Sequence, residues 1–202
     1  MVDTEASGST LRGMPRPPKA RAPLKEAALR LFVERGIDGT GIRDLAKTAG
    51  YSEAAIYRHW KSKEELVRSL YHENLAEVCR LLDEAIASTA DLDGQVHAAT
   101  RALYSLFDEH PLVFRFVLLA KHDLDVAHDL SVRTPLDIVQ SLAQRAVADG
   151  RATGEPGLLA AAMTGTFLET AVFVLYGRLE GPLTRYADRV ARLALHLLSS
   201  RL

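Results

Sequence analysis

The sequence predicts an all-α protein with about nine helices, and two observations predict this fold class. From Pro23 onward, apolar residues recur at intervals of three and four, which is the spacing of one helix face. No segment alternates between apolar and polar residues for long enough to indicate a β-strand. Hydrophobic residues form 48% of the 202-residue chain, so the sequence can fill a core.

The first 17 residues differ from the rest of the chain. They are rich in Ser, Gly, Thr and Pro and show no apolar periodicity, so we expect a disordered tail. The N-terminal region lacks the apolar stretch of a secretory signal. A single cysteine, Cys79, cannot form an internal disulfide. Both features favour a cytoplasmic protein.

Capping residues predict where the N-terminal helices begin and end. Thr40, Ser52 and Ser62 suit the position before a helix, so we expect the second, third and fourth helices to follow them. Glu65, three residues after Ser62, completes a capping box. The first helix ends at Gly36 and has four apolar residues on one face: Leu24, Ala28, Leu31 and Phe32.

Five more helices follow the fourth, and proline and glycine mark most of their ends. They are residues 93–109, a short apolar helix from Pro111, a helix from Pro135 to Gly150, one after Pro156 and one after Pro182.

Three residues of segment 40–66 have the spacing of two short helices that cross closely. Ala46 is small enough for a close crossing, Gly50 suits a turn that needs positive φ, and Ile56 can pack the second helix on the first. This spacing indicates a helix-turn-helix, whose second helix enters the major groove of DNA.

The flanks of this segment make the pattern specific. Over about residues 18–78, the sequence closely resembles the DNA-binding domain of the TetR family of bacterial transcriptional regulators. The resemblance implies that a DNA-binding domain (18–68) follows the basic tail (1–17) and precedes a helical effector-binding and dimerisation domain (69–202). The residues that carry it are Ala28, Leu31, Phe32, Gly36, Thr40, Asp44, Leu45, Ala46, Ala49, Gly50, Ser52, Ile56, Tyr57, His59, Trp60, Ser62, Lys63, Glu64 and Leu66.

The charge distribution agrees with a nucleic-acid partner for the N-terminal part. Residues 1–70 carry 13 Lys and Arg against 9 Asp and Glu, and residues 71–202 carry 12 against 17. The net charges are therefore +4 and −5, which places the basic excess where phosphate binding needs it. The basic residues near the tail form either an arm along DNA or a solvated linker: Arg12, Arg16, Lys19 and Arg21.

The resemblance also implies which residues contact the operator. The DNA backbone is expected to contact Thr40, Tyr57, His59 and Lys63, while Gly41 stands where the family often has a second Thr. Base reading is then left to Arg43 and the start of the third helix, where Glu53 is either a base contact or a solvated first-turn residue. The exposed start of that helix comprises Ser52, Glu53, Ala54 and Ala55.

For the C-terminal part, the resemblance implies a homodimer through the last two helices and a small-molecule effector. The regulator would be a repressor that the effector releases from a palindromic operator. A regulator without an effector and an activator remain alternatives.

Two groups of residues are candidates for the effector pocket. Phe107, Phe114 and Phe116 either line an apolar cavity or belong to the core. In the apolar segment 158–176, Glu169 needs a partner if it is buried, either a ligand or an arginine such as Arg115 or Arg178. Three neighbours in that segment complete the candidate pocket: Phe167, Thr170 and Phe173.

Enzymatic alternatives have weaker support. His122, Asp123, Asp125, His128 and Asp129 resemble a metal-dependent phosphohydrolase cluster, but the spacing of the two histidines does not place them on one helical face. A polar linker explains them better. The sequence has no phosphate-binding loop or nucleophile elbow. We therefore expect no catalytic residues, metal or cofactor, and no membrane span, because Glu169 and three threonines interrupt segment 158–176.

Overall fold

The fold is all-α, as the sequence predicts. The computed structural model describes residues 20–123 and 132–199, with side chains described up to Leu118 and from Val132. Within these ranges there are nine α-helices, one 3₁₀ turn (Leu183–Tyr186) and no strand. The helices are α1 (Arg21–Arg35), α2 (Ile42–Ala49), α3 (Glu53–Tyr57), α4 (Lys63–Ala87), α5 (Leu92–Glu109), α6 (Pro111–Asp123), α7 (Pro135–Ala148), α8 (Pro156–Leu175) and α9 (Ala187–Ser199).

Helix α4 joins two hydrophobic clusters. Its first turns pack with α1, α2 and α3 in the head cluster, which includes Phe32, Ile56 and Trp60. Further along, α4 packs on α5 and α7, next to the larger body cluster formed by helices α5 to α9. The predicted domain boundary at residue 68 therefore lies inside one continuous helix of 25 residues.

The starts of two helices differ in detail from the predicted caps. Helix α2 begins at Ile42 with Gly41 as its N-cap, so the prediction that Thr40 caps it is wrong. Helix α4 does begin after Ser62, whose hydroxyl oxygen accepts from the Glu65 N–H at 3.2 Å. The Glu65 carboxylate, however, accepts from the N–H of Lys61 at 2.7 Å, one residue before the cap.

The body is held by packing and by a buried tyrosine. Helix α8 lies between α7 and α9, and α9 also packs on α5. The fully buried Tyr104 of α5 donates its hydroxyl to the backbone oxygen of Phe167 in α8 at 3.1 Å. This removal from water raises the pKa of Tyr104 to about 12. By length and composition, α8 is the one described helix that could cross a membrane; here it packs between α7 and α9.

Candidate nucleic-acid interface and ligand cavity

The turn between α2 and α3 has the geometry that a helix-turn-helix requires. Gly50 has φ 73°, in the left-handed region that glycine adopts without strain. The Tyr51 N–H donates to the Ala46 oxygen at 2.9 Å, which closes the end of α2. Ala46 and Ile56 are buried between the two helices. The predicted roles of these three positions are confirmed.

One side of α2 and α3 is left open to solvent. Arg43 on α2 and Ser52, Glu53, Ala54 and Tyr57 around α3 are all exposed. These are five of the residues that the sequence predicts at the DNA. Gly41, at the start of α2, is also exposed.

Sequence reasoning missed Arg58, which follows α3 directly and is exposed. It lies four residues after Ala54, so it shares the face that a helix would present to the groove. Lys47 and Lys61 are exposed nearby in the chain and also carry positive charge. The (i, i+4) relation to Ala54 was the available signal for Arg58.

Two predicted DNA contacts are buried instead. Thr40 is 1% exposed, and its hydroxyl donates to the backbone oxygens of Gly36 at 2.8 Å and Leu31 at 3.2 Å. Ala55 is 2% exposed and belongs to the side of α3 that faces the core. The prediction that these two side chains contact DNA is therefore wrong for this conformation.

The role of Thr40 can be tested by removing only its hydroxyl. Thr40→Val is expected to lower the free energy of unfolding by about 1–3 kcal/mol, because the single hydroxyl proton that is shared between the Gly36 and Leu31 oxygens is lost. Thr40→Ser keeps the donor and should lose less. Chemical denaturation of the variants measures this. If Thr40→Val left the stability unchanged and weakened DNA binding, the result would support the predicted contact between Thr40 and a DNA phosphate.

The remaining two phosphate candidates are half-buried. Lys63 donates its ammonium group to the Ile37 oxygen at 3.0 Å, which ties α4 to the loop between α1 and α2. Two further N–H donors of that ammonium group stay available for a phosphate. His59 lies against Trp60, with ring centres 5.4 Å apart. Both side chains lie at the edge of the exposed surface.

Arg21 packs on the head and does not extend from it. It donates to Glu73 of α4 at 2.8 Å and lies over the Trp60 ring. Burial opposes ionisation of Glu73, but hydrogen bonds from Lys25 and Ser69 outweigh it and keep the pKa of this carboxyl below its usual value. Arg21 is therefore not part of a free arm; Arg12, Arg16 and Lys19 lie outside the described residues.

The body contains an apolar cavity of about 120 Å³ between α4, α5, α6, α7 and α8. Two of the predicted pocket residues, Phe114 and Phe167, line it. Among the described side chains of its lining, only Thr100 and Thr164 carry hydroxyls, and the Thr100 hydroxyl donates to the Val96 oxygen at 2.7 Å. The other described lining side chains are hydrocarbon.

The other five predicted pocket residues are absent from the cavity lining. Phe107 packs edge-on against Phe114 behind the wall, and Phe116 belongs to the head cluster, stacked on Phe32. Thr170 is half-buried and donates to the Thr166 oxygen at 2.8 Å. The last two of the five, Glu169 and Phe173, are exposed on α8. Glu169 is thus not a buried charge in the single chain.

The histidine and aspartate cluster cannot be placed. The side chains of His122, Asp123, Asp125, His128 and Asp129 lie outside the described residues. Among the side chains that the structure does describe, no group of His, Cys, Asp and Glu could hold a metal ion. Cys79 is buried in α4, and this burial raises the pKa of its thiol.

Comparison with known proteins gives the family. A profile for bacterial regulatory proteins of the tetR family matches residues 24–70. The transcriptional repressor KstR2 of Rhodococcus jostii is 32% identical over 88 residues, which are 44% of this chain and 43% of that protein. The chain thus aligns with less than half of that relative.

Two solved structures match nearly the whole fold. The fatty acid degradation regulator FadR of Bacillus halodurans gives a TM-score of 0.77 at 17% identity and covers 91% of this chain and 97% of its own. FadR of Bacillus subtilis, in complex with stearoyl-CoA, gives 0.70 at 17% identity, with 87% and 97% covered. With the aligned repressor, the profile match shows that residues 24–70 belong to the tetR family of bacterial regulatory proteins, and the two solved structures show the fold of nearly the whole chain.

Proposed function

We propose that this protein is a cytoplasmic transcriptional regulator that binds a palindromic DNA operator as a homodimer and responds to a small molecule. The exposed face of α2 and α3 is the main support for DNA binding. It combines the turn geometry of a helix-turn-helix with exposed cationic and polar side chains. Repression is the proposed mode, because the R. jostii relative is named a repressor. The protein is a regulator and not an enzyme.

Selection of DNA from a random pool by the purified full-length chain tests this function. Two inverted half-sites, centred about one helical turn apart or a multiple of it, are the expected product. Recovery of DNA without any shared sequence would contradict a sequence-specific regulator.

Within the DNA surface, we assign base reading to Arg43 and backbone binding to Lys63. A guanidinium group can bind both acceptors of a guanine edge, whereas an ammonium group acts as a point charge on phosphate. Arg58 is a second candidate reader, because it shares the outer face of α3 with Ala54.

These assignments give different expected results. Arg43→Ala should relax the sequence preference at one position of each half-site, at a cost of about 1–3 kcal/mol for the preferred base. Lys63→Ala should weaken binding to all sequences equally and lower the salt dependence by about one ion per subunit. Fluorescence anisotropy at several salt concentrations measures both.

The exposed Arg30 of α1 provides a control for the loss of positive charge. It pairs with Glu26 on its own helix, so Arg30→Ala should change neither sequence preference nor salt slope. If Lys63→Ala and the unaltered protein show the same dependence of operator affinity on salt concentration, the assignment of Lys63 to a phosphate is wrong.

We propose that a second copy covers the outer face of α8 and α9. Four large apolar side chains are exposed there: Leu158 (62%), Phe173 (50%), Tyr176 (78%) and Leu193 (58%). Apolar side chains in such numbers on two adjacent helices mark an interface. A twofold dimer would place the same face of both copies together and would present two heads to the two halves of a palindrome.

The cavity is the proposed effector site, because it is enclosed by helices and lined by hydrocarbon. The stearoyl-CoA complex of the B. subtilis relative supports an effector with an apolar part. Two helices connect this cavity to the head. Helix α4 lines the cavity with Leu75, Val78 and Leu82, and Leu75 also belongs to the head cluster.

Helix α6 provides the second connection. Val113, Phe114 and Val117 line the cavity, while the fully buried Phe116 of the same helix stacks on Phe32 of α1 at 6.0 Å. A ligand that displaces α6 must therefore also disturb the packing of α1. We propose that this movement, together with that of α4, changes the separation of the two heads and lowers operator affinity.

A further inference from the structure

A groove lies next to the effector cavity. The groove has a volume of about 430 Å³ and is formed by α4, α5 and the start of α6. Val78, Leu106 and Val113 line both the groove and the cavity, so these three side chains separate the two spaces. A molecule that extends past these three side chains has one end in the cavity and the other end in the groove.

The cavity sets the chemistry of the inner end. A carboxylate or an ammonium group placed there would be buried without a partner, because none of the described side chains that line the cavity is charged. Its volume of about 120 Å³ is close to that of a cavity known to accept benzene, about 150 Å³. The inner end is therefore a compact hydrocarbon group of about six carbons.

The groove sets the chemistry of the outer end. Its polar lining is Asn74, Glu77, Ser105, Glu109 and His110, and neither groove nor cavity is lined by a Lys or Arg among the described side chains. Arg80 neutralises Glu77 through bonds at 2.6 and 2.9 Å. Glu109 is exposed and has no ion pair within the described part of the chain.

We infer that the effector is a small amphipathic molecule with a compact hydrocarbon end in the cavity and a cationic, hydrogen-bond-donating end beside Glu109 in the groove. This inference rests on the proposed role of the cavity as the effector site. An anionic end is disfavoured, because the described lining of the groove offers it two carboxylates and no Lys or Arg.

Three probes with one hydrocarbon chain and different ends test the inference: hexylammonium, 1-hexanol and hexanoate. Calorimetric titration of the full-length protein at low salt should rank them in this order, with hexanoate at least about ten-fold weaker than hexylammonium. Dodecylammonium should bind no tighter than hexylammonium, because the cavity is full at about six carbons.

Variants locate the two ends of the probe. Glu109→Gln should remove most of the preference for hexylammonium over 1-hexanol, whereas the control Glu155→Gln, an exposed carboxylate outside both spaces, should leave it unchanged. Val139→Phe, in the cavity wall, should weaken all hexyl probes. Thermal unfolding establishes that each variant is folded.

Several results would overturn the inference. It would be overturned if hexanoate bound as tightly as hexylammonium. It would also be overturned if the preference for hexylammonium over 1-hexanol survived Glu109→Gln, or if no hexyl probe bound. Operator binding is measured separately in the absence of any probe, and this measurement tests the proposed function. Hexanoate that binds as tightly as hexylammonium and releases the operator would overturn the inference but would leave the proposed regulatory function supported.

Discussion

Phe173→Glu is expected to convert the proposed dimer into a folded monomer and to lower operator affinity by about 100-fold or more. The side chain is 50% exposed on α8 in the single chain, so its replacement should not unfold the monomer. Two copies of a carboxylate near a twofold axis would be desolvated and repel each other. The loss of affinity follows because a monomer binds one half-site without the avidity of the second.

Sedimentation equilibrium and operator titration measure the two effects. Ala87→Glu is the matched control, since Ala87 is an exposed apolar residue at the end of α4. It should leave the protein dimeric and the operator affinity unchanged. A Phe173→Glu protein that remains dimeric would show that another surface forms the interface.

Replacing Phe116 should weaken the head although the residue belongs to α6. Phe116→Ala removes a fully buried ring and is expected to cost about 3–5 kcal/mol of folding free energy. Phe107→Ala removes a ring that is 5% exposed in the body cluster and should cost a similar amount. The two variants should differ in where the structure loosens.

Hydrogen exchange distinguishes the two variants. The smaller change Phe116→Leu, which keeps the protein folded, should speed amide exchange in α1, because Phe32 loses its stacking partner. Phe107→Leu should speed exchange in α5 and α6 and leave α1 unchanged. Equal protection of α1 in both variants would contradict a coupling of cavity and head through α6.

Operator binding provides a second measurement of the same coupling. Phe116→Leu is expected to lower operator affinity although its residue lies on a body helix, whereas Phe107→Leu should not. Both variants retain every exposed residue of the DNA surface, so a difference between them reports the packing of α6 on α1.

Local sequence signals predicted the helices because each signal acts within a few residues. Gly50 ends α2 with a positive φ, Ser62 caps α4 and Pro135 begins α7. Such signals depend on backbone conformation and neighbouring N–H groups, which a sequence shows directly. The wrong prediction for Thr40 also concerns nearby residues. Its hydroxyl could either cap the start of α2 or donate to the carbonyl oxygens of Gly36 and Leu31, and it does the latter.

The pocket prediction failed where it depended on which way a helix face points. Phe107, Phe114 and Phe116 lie on adjacent helices, yet one packs behind the cavity wall, one lines the cavity and one enters the head cluster. Apolar periodicity indicates that a residue is buried and leaves open what covers it. Glu169 shows the converse: segment 158–176 is apolar on nearly all sides, which suggested burial, but α7 and α9 leave one side of α8 uncovered.

The fold class, the helix-turn-helix and the family resemblance could all be predicted from the sequence, because they depend on short spacings such as that of Ala46, Gly50 and Ile56. The burial of Thr40 and Ala55 and the packing of Phe116 in the head cluster became known from the packing of the helices. Contacts between helices far apart in the chain depend on how whole faces pack, and no local spacing encodes that packing.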